Sequence, residues 1–319
     1  MREYSLKRAL KSSALLLLLF VLACKKNKEE EKPAPIIQSA YISKIYEYKP
    51  APGQFINDAS YGTLAKANAL IDASDNGLLS LGAFGGYVVF GFDHPIKNEN
   101  GKDLGIFGNP LIGDGGEWSE PGIVCVMQDL NNNGLPDDGE WYELAGSEYN
   151  AAETRKNYKI TYYKPSTLAD DIRWTDNLGN EGYVLRNSYH NQAYYPNWIN
   201  ETQLSFEGTL LKNTLLEGGL ITNLPFSFGY ADSGSPEYLN LQSLLGRGYN
   251  AFDIDWAVDR NGKKVALTQV DFVKVYTAQN CNGNPYHPVT TNPRSRYLGE
   301  ISTEIAGAID IRLYQQQKK

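Results

Sequence analysis

The chain has 319 residues, 42% hydrophobic and 21% charged, which fits neither a disordered chain nor a multi-span membrane protein. The 22 Tyr, 11 Phe and 5 Trp beside 30 Gly and 15 Pro favour strands and tight turns, because rings suit half-buried pleated surfaces while Gly and Pro suit turns. A formal net charge of −7, with no cluster of Lys and Arg in the body of the chain, speaks against nucleic acid as a partner.

Met1–Ala23 reads as a secretory signal. Arg2, Lys7, Arg8 and Lys11 make a basic start, and Ala14–Leu22 is an apolar run too short for a stable membrane anchor. The run ends in Val21-Leu22-Ala23-Cys24, which resembles a bacterial lipobox, with Leu22 bulkier than usual at its position. The resemblance implies that Cys24 becomes the lipidated first residue, with two or three acyl chains anchoring it in the outer membrane. Residues 24–37 are rich in Lys, Glu and Pro and read as a solvated tether. The acidic cluster Glu29-Glu30-Glu31 resembles a surface-export signal, which places the protein on the cell exterior. The signal carries four cationic and one anionic side chain, so the remainder is near −10.

From residue 38 to 315 the composition is uniform and predicts one large β-sandwich domain; two β domains meeting near Ser166–Asn180 are the alternative. Thr63–Ala73 sets Leu64, Ala67, Leu70 and Ile71 on one stripe of a short helix. Tyr87–Phe92 and Ile123–Met127 are continuous apolar runs, the pattern of strands covered on both faces. Tyr158–Tyr162 alternates, as a half-exposed strand does. Ser235-Pro236-Glu237 opens a second short helix running to Leu245, with Gly246 beyond it. Ile254–Val258 and Val265–Tyr276 flank Asn261-Gly262, a hairpin signal. The expected class is all-β: an antiparallel two-sheet sandwich, jelly-roll-like, with long loops and one or two short helices.

Asp129-Leu130-Asn131-Asn132-Asn133-Gly134-Leu135-Pro136-Asp137-Asp138-Gly139-Glu140 fits the twelve-residue calcium-loop pattern. A hard cation wants six to eight oxygens. Asp129, Asn131, Asn133, Asp137 and Glu140 carry side-chain oxygens at the required spacing, Leu135 contributes its carbonyl, and Gly134 permits the sharp turn. The flanking runs read as strands, so the expectation is a Ca²⁺ loop embedded in a sheet, its ion structural. An ion-free Asn/Gly turn is the alternative.

Other constellations are weaker. Asp253, Asp255 and Asp259 would share one strand face, where a solvated surface is favoured over a second cation. The run Tyr183–Trp198 interleaves rings with amides, and Tyr189, His190, Asn191, Gln192, Tyr194, Tyr195 and Trp198 form the ligand-site candidate; a loop folded over the sandwich with its rings buried is the alternative. His94, His190 and His287 lie far apart without metal-ligand spacing, and no nucleophile elbow or phosphate loop occurs. Glu117 and Glu120 flank Trp118 as a conceivable glycosidase pair, but the reading is non-catalytic. An oxidising compartment permits a Cys125–Cys281 bridge, although Cys125 reads as a buried small hydrophobe.

Several stretches together resemble a family of Bacteroidota cell-surface lipoproteins, some of which carry PKD-type modules. They are Tyr46-Glu47-Tyr48-Lys49-Pro50-Ala51-Pro52-Gly53-Gln54-Phe55, Ser80-Leu81-Gly82-Ala83-Phe84-Gly85-Gly86-Tyr87, Gly91-Phe92-Asp93-His94 and Ser119-Glu120-Pro121-Gly122-Ile123-Val124. The loop through Glu143-Leu144-Ala145-Gly146-Ser147-Glu148-Tyr149, then Tyr194-Tyr195-Pro196-Asn197-Trp198, Phe252–Asp259 and Asp271–Thr277, complete the set, which spans most of Ala40–Leu313. The resemblance implies the core module alone, working beside a TonB-dependent outer-membrane receptor in capture of a scarce extracellular nutrient, a glycan or a corrinoid. It transfers no catalytic residue. A glycoside hydrolase and a structural surface adhesin are the alternatives.

Overall fold

The computed structural model describes residues 38–72, 77–112, 117–187, 189–216, 221–240, 248–281 and 298–317. The signal segment, Cys24, the tether, Ser188, His287 and the expected end of the second helix at Leu245-Gly246 lie outside them. In chain order the strands are β1 (Lys44–Lys49), β2 (Leu79–Ser80), β3 (Tyr87–Lys97), β4 (Leu104–Phe107), β5 (Gly122–Met127), β6 (Tyr142–Leu144), β7 (Arg155–Tyr163), β8 (Ile172–Asp176) and β9 (Glu181–Val184). Then follow β10 (Gln203–Leu210), β11 (Leu215–Leu216), β12 (Thr222–Asn223), β13 (Asn250–Phe252), β14 (Ala257–Val258), β15 (Gln269–Thr277), β16 (Glu304–Ile305) and β17 (Gly307–Asp310). The helices are short: α1 (Leu64–Asn68), α2 (Pro236–Asn240) and α3 (Ile311–Gln317).

The fold is an all-β sandwich of antiparallel sheets. A six-stranded sheet ordered β1-β3-β15-β5-β6-β14 forms the middle, a four-stranded sheet ordered β10-β7-β8-β9 covers one face, and a three-stranded sheet ordered β13-β4-β17 covers the other. The expected pair of sheets is thus extended by a third layer. Side chains alternate across a strand, so Ile123 and Cys125 of β5 pack with Tyr158, Ile160 and Phe206, while Val124 and Val126 pack with Leu104, Ile106 and Phe252. That double cover is why all six β5 residues are buried. It matches what a continuous apolar run demands of a strand. In β7, by contrast, Tyr158, Ile160 and Tyr162 are buried while Arg155, Asn157 and Lys159 face water.

Across Ser166–Asn180, where the alternative boundary would fall, β8 pairs with both β7 and β9, and the chain from Gln38 onward is one compact unit. Several local expectations change. α1 starts after the Thr63 cap, whose hydroxyl accepts from Lys66 N–H, but it spans five residues; Ala67 and Leu70 are buried while Leu64 and Ile71 remain exposed. Asp253 and Asp255 do not lie on a strand face. The Asp253 carboxylate accepts the Asp255 N–H at 2.9 Å and caps a 3-10 turn over Ile254–Trp256, an Asx-type bond that competes with the sheet ladder. Asn261-Gly262 forms the expected tight turn, with Gly262 at φ 77°, and the residues after it fold back along β14, Val258 bridging Lys264 and Val265 N–H donating to the Ala257 carbonyl at 2.9 Å; β15, which follows, pairs with β3 and β5. Cys125 and Cys281 are both buried, and no disulfide joins them.

Candidate functional site

The loop between β5 and β6 closes on its own polar groups. Asp129 N–H donates to Asp271 Oδ2 at 2.9 Å, which fastens the loop to β15. Asp129 Oδ1 accepts from Asn133 N–H at 3.1 Å and Oδ2 from Gly134 N–H at 2.8 Å. Asn131 and Asn133 both donate their side-chain amides to Asp137, at 3.3 Å and 3.1 Å. Gly134 and Gly139 hold φ of 72° and 100° with open space around them, so conformation and not crowding requires glycine there. Asp129, Asn131, Asn133 and Asp137 therefore converge. The other two expected ligands are engaged elsewhere: the Leu135 carbonyl accepts from Asp137 N–H at 2.9 Å, and Glu140 Oε1 accepts from Arg260 N–H at 2.8 Å. Asp138, not expected as a participant, accepts the Leu130 and Asn131 N–H groups through Oδ2 and the Asn131 amide through Oδ1. Asp138 thus engages the loop where Glu140 was expected to, but among the described residues the acids whose oxygens gather within 4.8 Å of one another are Glu120, Asp232 and Glu304 and not those of this loop.

The aromatic run does not make an exposed binding face. Tyr194 and Tyr195 are 1% and 2% exposed, packed in the core between the six- and four-stranded sheets. Tyr194 Oη accepts Asn187 N–H at 3.0 Å, and Tyr195 O–H donates to the Glu201 carbonyl at 2.8 Å. Gln192 Nε2 donates to the Gln54 carbonyl, His190 stands edge-on to Phe55, and Trp198 packs on Tyr48. Tyr189, at 72%, and Asn191 are exposed. These rings are buried because Asn57, whose amide donates to the Ala193 and Tyr195 carbonyls, and Asn187, whose amide donates to Gln54, satisfy the loop's polar groups from inside.

A better-formed concavity of about 330 Å³ opens where β5, β6 and β15 meet β7 and β10. Its wall includes Trp141, Glu143, Tyr149, Lys156, Thr209 and Lys274, with Asp259 and Arg260 at the lip. Lys156 Nζ lies 3.5 Å from Glu143 Oε1 and 3.1 Å from the centre of the Tyr149 ring. Thr209 O–H donates to Glu143 Oε2 at 2.6 Å. Lys274 sits over the Tyr87 ring at 4.1 Å. Burial raises the Glu143 carboxyl against the pull of Lys156, and burial lowers the ammonium pKa of both Lys156 and Lys274. The Cys125 thiol on the same wall is pushed up to about 12 by burial and is no nucleophile. Trp141 directly follows the acid-amide loop, and the Glu140–Arg260 bond ties that loop to the lip. Sequence reasoning missed this site because its residues are scattered over six strands and the loops between them.

His94 is held by carboxylates on both sides, Nδ1 2.6 Å from Asp93 Oδ1 and Nε2 3.0 Å from Asp310 Oδ2. The Asp310 hydrogen bond raises its pKa despite burial, and His94⁺ holds both carboxyls below their usual range. It is a structural clasp between β3 and β17. Glu117 and Glu120 part company: Glu117 is exposed, while Glu120 meets Asp232 and Glu304, one oxygen of each lying within 4.8 Å of the others. Burial pushes all three of these carboxyls up, and mutual repulsion adds to it for Asp232 and Glu304. Among the described residues no helix is long and apolar enough to cross a membrane. No protein-family model matches the chain, and no curated protein matches it.

Proposed function

We propose that the protein is a lipid-anchored outer-surface module that captures a small extracellular glycan for an outer-membrane importer, using the cleft under Trp141. The observation that carries this reading is the composition of that cleft. Trp141 and Tyr149 offer apolar ring faces to sugar C–H groups, while Glu143, Lys156, Thr209 and Lys274 offer hydroxyl-binding partners of both polarities. Its volume, about 330 Å³, sits at the small end of ligand cavities and suits one or two sugar residues better than a corrin ring. Anchoring through Cys24, export to the surface and service to a TonB-dependent receptor rest on the sequence around Val21–Cys24 and Glu29–Glu31 and on the family resemblance.

The loop 129–140 would hold Ca²⁺ through Asp129, Asn131, Asn133, Asp137 and Asp138, the two amides turning their oxygens inward. The ion supplies stiffness and takes no part in chemistry. It braces Trp141 and, through the Glu140–Arg260 bond, the lip of the cleft. A binding module is preferred to a hydrolase because the pair considered for glycoside chemistry is split, Glu117 being exposed and Glu120 gathered with Asp232 and Glu304.

Isothermal titration of the purified chain with a panel of oligosaccharides and a corrinoid tests the reading. Trp141→Ala should weaken glycan binding at least tenfold while leaving the fold intact by circular dichroism. Undiminished binding in that variant would move the site elsewhere, and corrinoid-only binding would replace the ligand class. If no small ligand binds and cells lacking the protein lose attachment, the adhesin reading takes over.

A further inference from the structure

A buried acidic group stands at the other end of β5 from the acid-amide loop. Glu120 lies on the approach to β5, Asp232 on the loop bridged to Gly122, and Glu304 in β16. Each offers one oxygen, all within 4.8 Å of one another, and Asp232 and Glu304 are only 1% and 3% exposed. Asp232 accepts Asn109 N–H through Oδ1 and Glu304 N–H through Oδ2, both at 2.8 Å, so both of its oxygens are aimed and held by the backbone. Glu120 Oε1 accepts Ser302 N–H at 2.9 Å. The Glu304 and Glu120 side chains share a hydrogen bond, which takes one proton, while Glu304 Oε1 is buried with no hydrogen-bond partner.

A fourth carboxylate adds an independent observation. Glu300, 1% exposed, spends Oε1 on the Gln54 N–H at 2.8 Å and leaves Oε2 buried without a partner. It stands close enough to Glu120 and Glu304 for their charges to interact. Among the described residues, no basic side chain figures among the neighbours that act on these four groups. Buried carboxylates with orphan oxygens and no cation among their neighbours call for a positive charge. A dry, all-protein set of oxygen ligands suits Ca²⁺, whereas Mg²⁺ gives up its waters reluctantly and is rarely held by protein groups alone.

We infer that Glu120, Asp232 and Glu304 form a buried Ca²⁺ site, with Glu300 beside it, that clamps the segment from Leu298 to Ile305 onto the start of β5. This site is separate from the exposed loop and does not depend on the reading of that loop.

The test is calcium binding by the full chain carrying Asp129→Ala, which disables the loop. That protein should still take up one Ca²⁺ per chain by equilibrium dialysis, and chelator should lower its Tm by about 5 °C or more. Adding Glu304→Gln, or independently Asp232→Asn, should abolish that uptake. Neutralising Glu304 also removes the repulsion felt without metal, so the Glu304→Gln protein should melt below its parent in calcium but at or above it in chelator. That crossing separates loss of a ligand from simple misfolding. Absence of calcium uptake in the Asp129→Ala protein would overturn the inference, as would a Glu304→Gln protein that melts higher than its parent in both buffers, since protons would then hold the cluster.

Discussion

Strand β5 carries an acid-rich structure at each end, and the two are built in opposite ways. Beyond Met127 the acids and amides come from one continuous stretch, exposed to water and closed by local bonds such as Asn133 N–H to Asp129. Before Gly122 the acids come from residues 120, 232 and 304, in or beside the core. Six strand residues, roughly 20 Å at 3.3 Å per residue, separate the two ends. Water screens and solvates the first group, so it tolerates an empty centre. The second has no such solvent, so every proton or ion it holds acts directly on folding stability.

The largest expected effect is at the buried end. Asp232→Ala leaves the buried Glu304 N–H and the part-buried Asn109 N–H without their acceptor, and in chelator it should cost about 1–3 kcal/mol in a denaturant melt. A cost below about 1 kcal/mol would mean that water reaches the cluster and that the contrast drawn here is wrong.

Next comes pH. Glu300 is pushed up to about 8 by burial, so its contribution to stability is fully present below its unfolded pKa near 4.5 and lost as pH rises towards 8. His94 has the same sign, its contribution present below about pH 6.5 and lost as pH climbs through its raised folded pKa. In chelator, Glu300→Gln should flatten the fall in Tm between pH 5 and 8, while His94→Gln should remove only its upper part. Asp93 and Asp310 act oppositely, since their lowered pKa makes their contribution present above about pH 3.8 and lost in stronger acid.

At the exposed end the effects are smaller. Gly134→Ala forces a side chain into φ 72° and should cost about 1 kcal/mol despite the open space around it. Leu135→Ala, at a side chain 47% exposed, should change stability by less than about 0.5 kcal/mol. Should Leu135→Ala instead prove strongly destabilising, the loop is packed against something, and its independence from the core would have to be abandoned.

The same contrast explains what could be read in advance. Ile123–Met127 announces a strand covered on both faces because both of its side-chain rows are apolar. The loop after it is legible because ligand spacing is a local property of the chain. The run Tyr183–Trp198 is not, since rings and amides look alike in sequence whether they line a cleft or fill a core; Tyr194 and Tyr195 were drawn inward by Asn57 and Asn187, residues the run itself only half contains. Asp253 and Asp255 misled for a local reason, the side-chain cap that replaced a strand by a turn.

By itself, then, the sequence determined the all-β class, the double-covered centre and the acid-amide loop, because periodicity and spacing act over a few residues. The cleft under Trp141 and the meeting of Glu120, Asp232 and Glu304 were decided only by the tertiary structure. Their members are brought together by strand pairing across more than a hundred residues, and no local pattern encodes which distant side chains will share one desolvated point.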